Sequence, residues 1–491
     1  MFKNGYKRFI ICSSFLLGFL TVYFILSTGC CAAGESAEIV WQKVYNYANN
    51  IDRARSVVVD DTGNVYVGGY IYSGNYNCFL VKYDPSGDTI WQRVWDGGTQ
   101  DLIYGIALDD TGNLYATGFT NSFGTWDFLI IKYNTSGNTE WQKVWNSGNE
   151  DRGRCVAVDD TGNVYVAGYS NNGLDFDYLT IKYNTSGNTE WQKVWNGGGN
   201  DEAFAITVDK EGYAYVTGYS DDVANMLTVK YASSGDTVWQ KKCSNSSSEE
   251  FGIAVDNSGY VYAAGIINTA ILLVKYNSTN GDTIWQKQYK DEGRITVPGN
   301  IFIDKTDNLY ITGHSSLTNW DYYTMKLNSN GDVIWQTRYD SGREEKAYSI
   351  AIDKSSNVYV TGYSDNGTNH DWLTIKYRQI ASAIGLTPPS DQGQVKIGST
   401  GGQGIVYAGK SEQAVIAFKP TAAGKVTVRI YTLNGLLVRE KTYDSSGPND
   451  TNNYIQWACD NAEGGQVASG IYLVYVNGPG INLTKKVAIL K

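Results

Sequence analysis

Apolar and polar positions alternate in short bursts along most of the chain, each burst bounded by Gly, Asn, Asp or Ser. That pattern predicts strands joined by tight turns. The bursts fall into a repeat. "WQ" recurs at Trp41, Trp91, Trp141, Trp191, Trp239, Trp285 and Trp335, spaced 46 to 50 residues apart. After each comes an apolar run ending in Asp (Asp60, Asp109, Asp159, Asp209, Asp256, Asp304, Asp353) and a turn such as "DTGN". A second run carries Tyr66, Tyr115, Tyr165, Tyr215, Tyr262, Tyr310 or Tyr359, with a Gly three residues on. A third carries Lys82, Lys132, Lys182, Lys230, Lys275, Lys326 or Lys376, and a fourth carries the Trp.

Four β runs per repeat make one antiparallel meander, and seven meanders set radially make a seven-bladed propeller. A solenoid of hairpins is the rival, but its ends would need distinct capping repeats. "AEIVWQKVY" is a lone fourth strand, whereas the last repeat stops at Tyr377 without one. The first strand can therefore complete the last blade and leave no exposed edge. "IKYNTSGNTEWQKVWN" occurs unchanged at Ile131 to Asn146 and Ile181 to Asn196. Equivalent environments in successive blades account for that identity, so the sevenfold residues are assigned to the scaffold, with Trp and Tyr packing between blades.

The repeats, with their "D..GNvYv.G" core and "D.f..K....G" tail, resemble the SBBP-type bacterial β-propeller repeat over roughly residues 38 to 380. The resemblance implies a fold and is nearly silent on activity. Residues 381–394, "ASAIGLTPPSDQGQ", read as a linker. Beyond it Val426, Val428 and Ile430 alternate before an Asn434-Gly435 turn, the mark of a hairpin in a small β-sandwich over residues 395–491. "IYTLNGLLV", Trp457, "ASGIYLVYV" and Lys485-Lys486 resemble the immunoglobulin-like domain of flagellar hook-capping proteins and of type IX secretion sorting domains. Ala458-Cys459 stand where that family often has Asp-Gly. The expected class is thus all-β: a seven-bladed β-propeller closed by its N-terminal strand, then an immunoglobulin-like β-sandwich.

Charge and the N-terminus add the setting. The 491 residues carry a formal charge of −10, with no basic stripe for nucleic acid or anionic lipid. Lys3, Lys7 and Arg8, the apolar run Phe9 to Leu26 and "STGCCAAG" read as an export signal over residues 1–33. "LSTGC" also resembles a lipobox, with lipidation at Cys30. An uncleaved anchor is the alternative, since eighteen apolar residues can just span a bilayer; the reading adopted has no membrane span in the mature chain. Cys78, Cys155, Cys243 and Cys459 show no disulfide or metal spacing.

Function is expected where the repeats differ. Eight residues before the inner-strand Asp stand Asp52, Asp101, Asp151, Asp201 and Glu345, with Glu249 displaced by one. They can form a carboxylate collar for a hard cation such as Ca²⁺, or hydrogen-bond a neighbouring backbone. Asp127, Asp177, Asp321 and Asp371 recur five positions before the third-strand Lys. Just ahead of such positions, Tyr76, Trp126, Phe176, Trp320 and His370 form an aromatic arc, which suits stacking on sugars or gripping a cationic peptide, or tucks under its own loops. His314 and His370 are the only histidines, which leaves little room for a triad or a zinc site. The residues point to an exported or surface-held, non-enzymatic binding or scaffold protein without a cofactor, whose partners are extracellular glycan or protein and, through the C-terminal domain, secretion or cell-envelope machinery. A secreted carbohydrate-active hydrolase using paired carboxylates is the alternative.

Overall fold

A computed structural model describes residues 36–380 apart from 123, 222–224, 245–249 and 292, and the segments 395–399, 405–407, 413–432, 436–447, 454–461 and 467–490. The export segment, Cys30, the linker, Glu249 and the Asn434-Gly435 turn lie outside the described residues. Among the described residues no helix is long and apolar enough to cross a membrane. Cys78, Cys155, Cys243 and Cys459 are unbridged.

Seven four-stranded antiparallel sheets follow one another in a propeller-like arrangement. Their inner strands are Arg53–Val59, Asp101–Leu108, Asp151–Val158, Glu202–Val208, Gly252–Val255, Ile295–Ile303 and Glu345–Ile352. The seventh sheet takes its outer strand from the start of the chain: Ser36–Tyr45 pairs with His370–Ile380, bringing Trp41 opposite Lys376. First and seventh sheets also meet directly, since the Asp52 N–H donates to the His370 carbonyl at 2.8 Å. Trp372, from the seventh sheet, packs on Phe79 with ring centroids 5.1 Å apart and donates to the Tyr70 carbonyl at 3.0 Å, both in the first.

The sevenfold residues form one local device. In the third sheet Asp159 accepts from the Thr161 and Asn163 N–H groups (3.0 and 2.9 Å) and from the Tyr165 hydroxyl (3.1 Å). Lys182 lies over the Tyr165 ring, 5.2 Å from its centroid. The turn, the second strand and the third strand are thereby tied at one point, and hydrogen bonding outweighs burial to hold the Asp159 carboxyl below its ordinary pKa. Outer strands join sheet to sheet: Trp95, Trp145 and Trp195 each donate to a glutamine of the next "WQ" pair, Gln142, Gln192 and Gln240.

The constant glycine of the second strand has a different task. Gly118 and Gly168 press against the Leu102 and Arg152 carbonyls of the inner strand, where a Cβ has no room. Immediately beyond, the inner strand bulges between Ile103 and Gly105, and between Gly153 and Cys155. Matching bulges occur at Ala54/Ser56, Ala203/Ala205, Pro298/Asn300 and Ala347/Ser349. A bulge sets two residues against one and turns the extra one out of the ladder. Glycine here is what permits it.

The C-terminal residues build two further sheets. One has three strands in the order Val395–Ser399, Ala414–Phe418, Tyr454–Trp457; the other has five, in the order Ile405–Tyr407, Ile481–Leu490, Gly470–Gly478, Gly424–Thr432, Leu437–Ser445. Val426, Val428 and Ile430 alternate into a core shared by both, around the fully buried Trp457.

Candidate functional site at the centre of the sheets

The six bulges extrude Arg55, Tyr104, Arg154, Phe204, Gly299 and Tyr348. In the fifth sheet Phe251 holds the equivalent place, directly before its inner strand. All seven line one central cavity of about 490 Å³, together with Arg53, Glu202, Tyr219, Glu250 and Lys346. A volume of a few hundred Å³ is that of a small-ligand site. The second halves of all seven inner strands wall another cavity, of about 430 Å³, with mostly apolar side chains such as Val58, Leu108, Val158 and Phe302.

Cations and rings interleave at the first cavity. The Arg55 guanidinium lies 4.3, 5.3 and 5.7 Å from the ring centroids of Tyr348, Tyr104 and Tyr70. Arg154 lies 4.7 Å from Tyr104 and 5.0 Å from Phe204, and meets Glu202 at 3.5 Å. The two guanidiniums thus share the Tyr104 ring. Burial alone would raise the Tyr104 phenol, but Arg154, Arg55 and Arg152 together bring it below its ordinary pKa. Tyr219 donates to Glu202, so that carboxylate is doubly held.

The residues singled out in the sequence fall on the seam between sheets. Asp52, Asp101, Asp151, Asp201 and Glu345 are all 0% exposed. Each closes a loop of its own sheet or of the seam: Asp101 accepts from the Gly97 and Gly98 N–H groups (2.8 and 3.1 Å), Asp52 from Tyr47 and Tyr72, Asp151 from Ser147, Asp201 from Gly197 and Asp221, and Glu345 from Ser341. They do not gather into a collar around the centre. Burial raises Asp52 and Asp201 to about 6. Among the described residues Asp321, Asp340 and Glu345 bring carboxylate oxygens within 4.8 Å of one another, but Asp321 is already paired with Arg294 at 3.0 Å and Arg338 at 3.5 Å. The other members of its set are also buried and used locally. Asp127 accepts from Thr125, Asp177 from Asn172 and Asp371 from Asn366.

The aromatic arc is the facing side of the same seam. The carbonyls of Trp126, Phe176 and His370 accept the N–H of Asp151, Asp201 and Asp52 from the next sheet. Their rings are half-buried and mostly occupied: Arg152 lies 3.9 Å from Trp126, Lys346 lies 5.1 Å from Trp320, and Arg53 donates to His370 Nδ1 at 3.1 Å. Burial and then Arg53 keep His370 below its ordinary pKa, as a neutral acceptor. Tyr76 meets Tyr70 and Tyr72 edge-on, and Phe176 rests on Tyr169 at 4.7 Å. Trp126, Trp320 and His370 hold cations, and these are the protein's own.

Two stretches, residues 146–175 and 342–369, match the SBBP beta-propeller repeat. These matches support a propeller. No curated protein matches the chain. Among solved structures it is similar to PorZ, a surface component of the type IX secretion system of Porphyromonas gingivalis, with 14% identity, a TM-score of 0.45, and coverage of 89% of this chain and 59% of that one. It is also similar to a protein of unknown function from Dyadobacter fermentans (10% identity, TM-score 0.45, covering 70% and 99%) and to a gluconolactonase from Xanthomonas campestris (12%, 0.36, covering 66% and 98%). The chain spans less than two thirds of PorZ.

Sequence reasoning missed the cavity residues, although a signal was present. Counting back five from the inner-strand Asp gives Arg55, Tyr104, Arg154, Phe204, Phe251, Gly299 and Tyr348. That position changes both charge and bulk from repeat to repeat.

Proposed function

We propose that the seven sheets are the blades of a closed seven-bladed propeller, and that the chain is an exported, surface-held, non-enzymatic binding or scaffold protein. It takes extracellular glycan or protein at the central cavity. The observation that carries this reading is the bulge. One backbone device, repeated around the ring, delivers dissimilar side chains to a common centre while the surrounding frame stays constant. Equivalent positions that carry equal load converge on equal residues, whereas a site for one ligand requires unequal ones. Glu202, tied to Arg154 and Tyr219, is poorly placed to act as a free acid or base, which supports binding without turnover. The C-terminal sandwich is read as an immunoglobulin-like spacer, attachment or secretion-sorting module.

The test is attachment of the mature chain to glycan arrays and whole cells. Y104A/F204A abolishes it while W126A leaves it intact; the reverse ranking would move the site to the rim. Export of a chain lacking residues 405–491 tests the sorting role, and unchanged export would remove it.

A further inference from the structure

We infer that the central cavity receives a carboxylate-bearing sugar, either a free acidic monosaccharide or the acidic end of a longer glycan, held between Arg55 and Arg154 against the Tyr104 ring. The inference rests on the reading of the cavity as the binding site and names its ligand.

The charges are the first support. In a chain of net charge −10, the cavity gathers Arg53, Arg55, Arg154 and Lys346 against Glu202 and Glu250. Three of the cations have acceptors: Arg53 has His370 Nδ1, Arg154 has Glu202 at 3.5 Å, and Lys346 has Glu344 at 3.9 Å. Arg55 has no carboxylate partner among the described residues and faces rings on three sides. Its Nε is wholly buried without an acceptor, and so is the Nε of Arg154. An unmet donor on a desolvated cation costs roughly 1–3 kcal/mol, and such groups in native structures call for an explanation. Two guanidiniums on one tyrosine ring also repel each other, and the four cations of the cavity face only Glu202 and Glu250. An anion seated in the cavity offsets that excess of positive charge.

The walls then decide what kind of anion. A carboxylate matches the planar guanidinium fork. Tyr104, Tyr348 and Phe204, half-buried and each already against a guanidinium, wall the cavity with aromatic surface that the C–H groups of a sugar can contact. About 490 Å³ holds one or two sugar rings and excludes a folded protein segment. A glutamate-rich peptide would bring several carboxylates to a cavity that already holds Glu202 and Glu250 and in which Arg55 has Tyr70 as a hydrogen-bond partner but no carboxylate among the described residues.

Calorimetry on the mature chain, with galacturonate, galactose, citrate and a polyglutamate peptide as probes, tests this. Galacturonate is expected to bind at least about tenfold more tightly than galactose or citrate, to weaken with added salt, and to lose about tenfold or more in R55Q and in R154Q. R55K restores part of the loss. Digalacturonate binding more tightly than the monomer assigns the site to a glycan end; equal binding assigns it to the free acid. Galactose binding as well as galacturonate, or polyglutamate binding better, overturns the inference on the wild-type chain alone, without any variant having to fold. If Y104A/F204A loses attachment to surfaces while galacturonate neither binds nor competes, the acidic-sugar inference fails and the central-cavity reading stands. If attachment survives Y104A/F204A, that reading fails, and the galacturonate titration still decides the acidic-sugar inference.

Discussion

Tyr104 and Tyr115 sit in adjoining strands of the second sheet, in opposite circumstances. Tyr115 is 1% exposed, donates to Asp109 at 3.1 Å, and is held above its ordinary pKa by burial and by that carboxylate. Its counterparts in the other sheets are all tyrosine, because each closes the same turn. Tyr104 stands on a bulge beside two arginines that bring its phenol down. Its counterparts are Arg, Phe, Gly and Tyr. One residue type thus serves frame and centre, and the difference lies in whether the backbone keeps the side chain in the ladder or turns it out.

That contrast can be broken most severely at the glycine that makes it. G118A sets a Cβ against the Leu102 carbonyl and is expected to cost about 3 kcal/mol or more in urea unfolding, since packed backbone cannot yield. Any chain that still folds should show Tyr104 displaced, seen as a shifted tyrosine titration. W372A, which removes the ring joining first and seventh sheets, is expected to cost about 3–5 kcal/mol. D159A frees the Thr161 and Asn163 donors and the Tyr165 hydroxyl and is expected to cost about 2 kcal/mol. R55Q belongs to the centre and should move stability by less than about 1 kcal/mol while changing binding.

The pH dependence sharpens the comparison further. Asp52 and Asp201 are raised from 3.8 to about 6 by burial, so the folded state binds more protons than the unfolded between those values. Their contribution is fully present below the unfolded pKa and is lost as pH rises through about 6. Asp60, Asp109, Asp159 and Asp304 are lowered by their turns, and their contribution is lost only as pH falls below the ordinary carboxylate range. Stability should therefore decline between about pH 4 and pH 7, by roughly 1–2 kcal/mol for each raised group. D52N/D201N should flatten that slope in urea midpoints taken across the range, and an unchanged slope would mean these carboxylates ionise normally.

The sheets were legible because the Asp, Tyr, Lys and Trp of each repeat mark the same turn and strands every time. The C-terminal sheets were legible in the alternation of Val426, Val428 and Ile430, whose strand pairs with Leu437–Ser445. The centre was not legible, for two physical reasons. A bulge breaks the alternation that assigns residues to faces, so nothing in the period of the inner strand marks Arg55 or Tyr104 as turned inward. Net charge gave no guide either: an overall value of −10 does not say where the cations gather, and four of them line the central cavity. The acids and rings chosen instead, such as Asp151 and Trp126, recur because every seam between sheets needs a closed loop and a carbonyl to meet it.

A crystal of the mature chain soaked with galacturonate tests the central claim most directly. Density is expected between Arg55 and Arg154, with the sugar carboxylate within hydrogen-bond distance of a guanidinium and the ring over Tyr104. Sugar bound instead on Trp126 or Trp320 at the rim, or a central cavity left without sugar at saturating ligand, would contradict it.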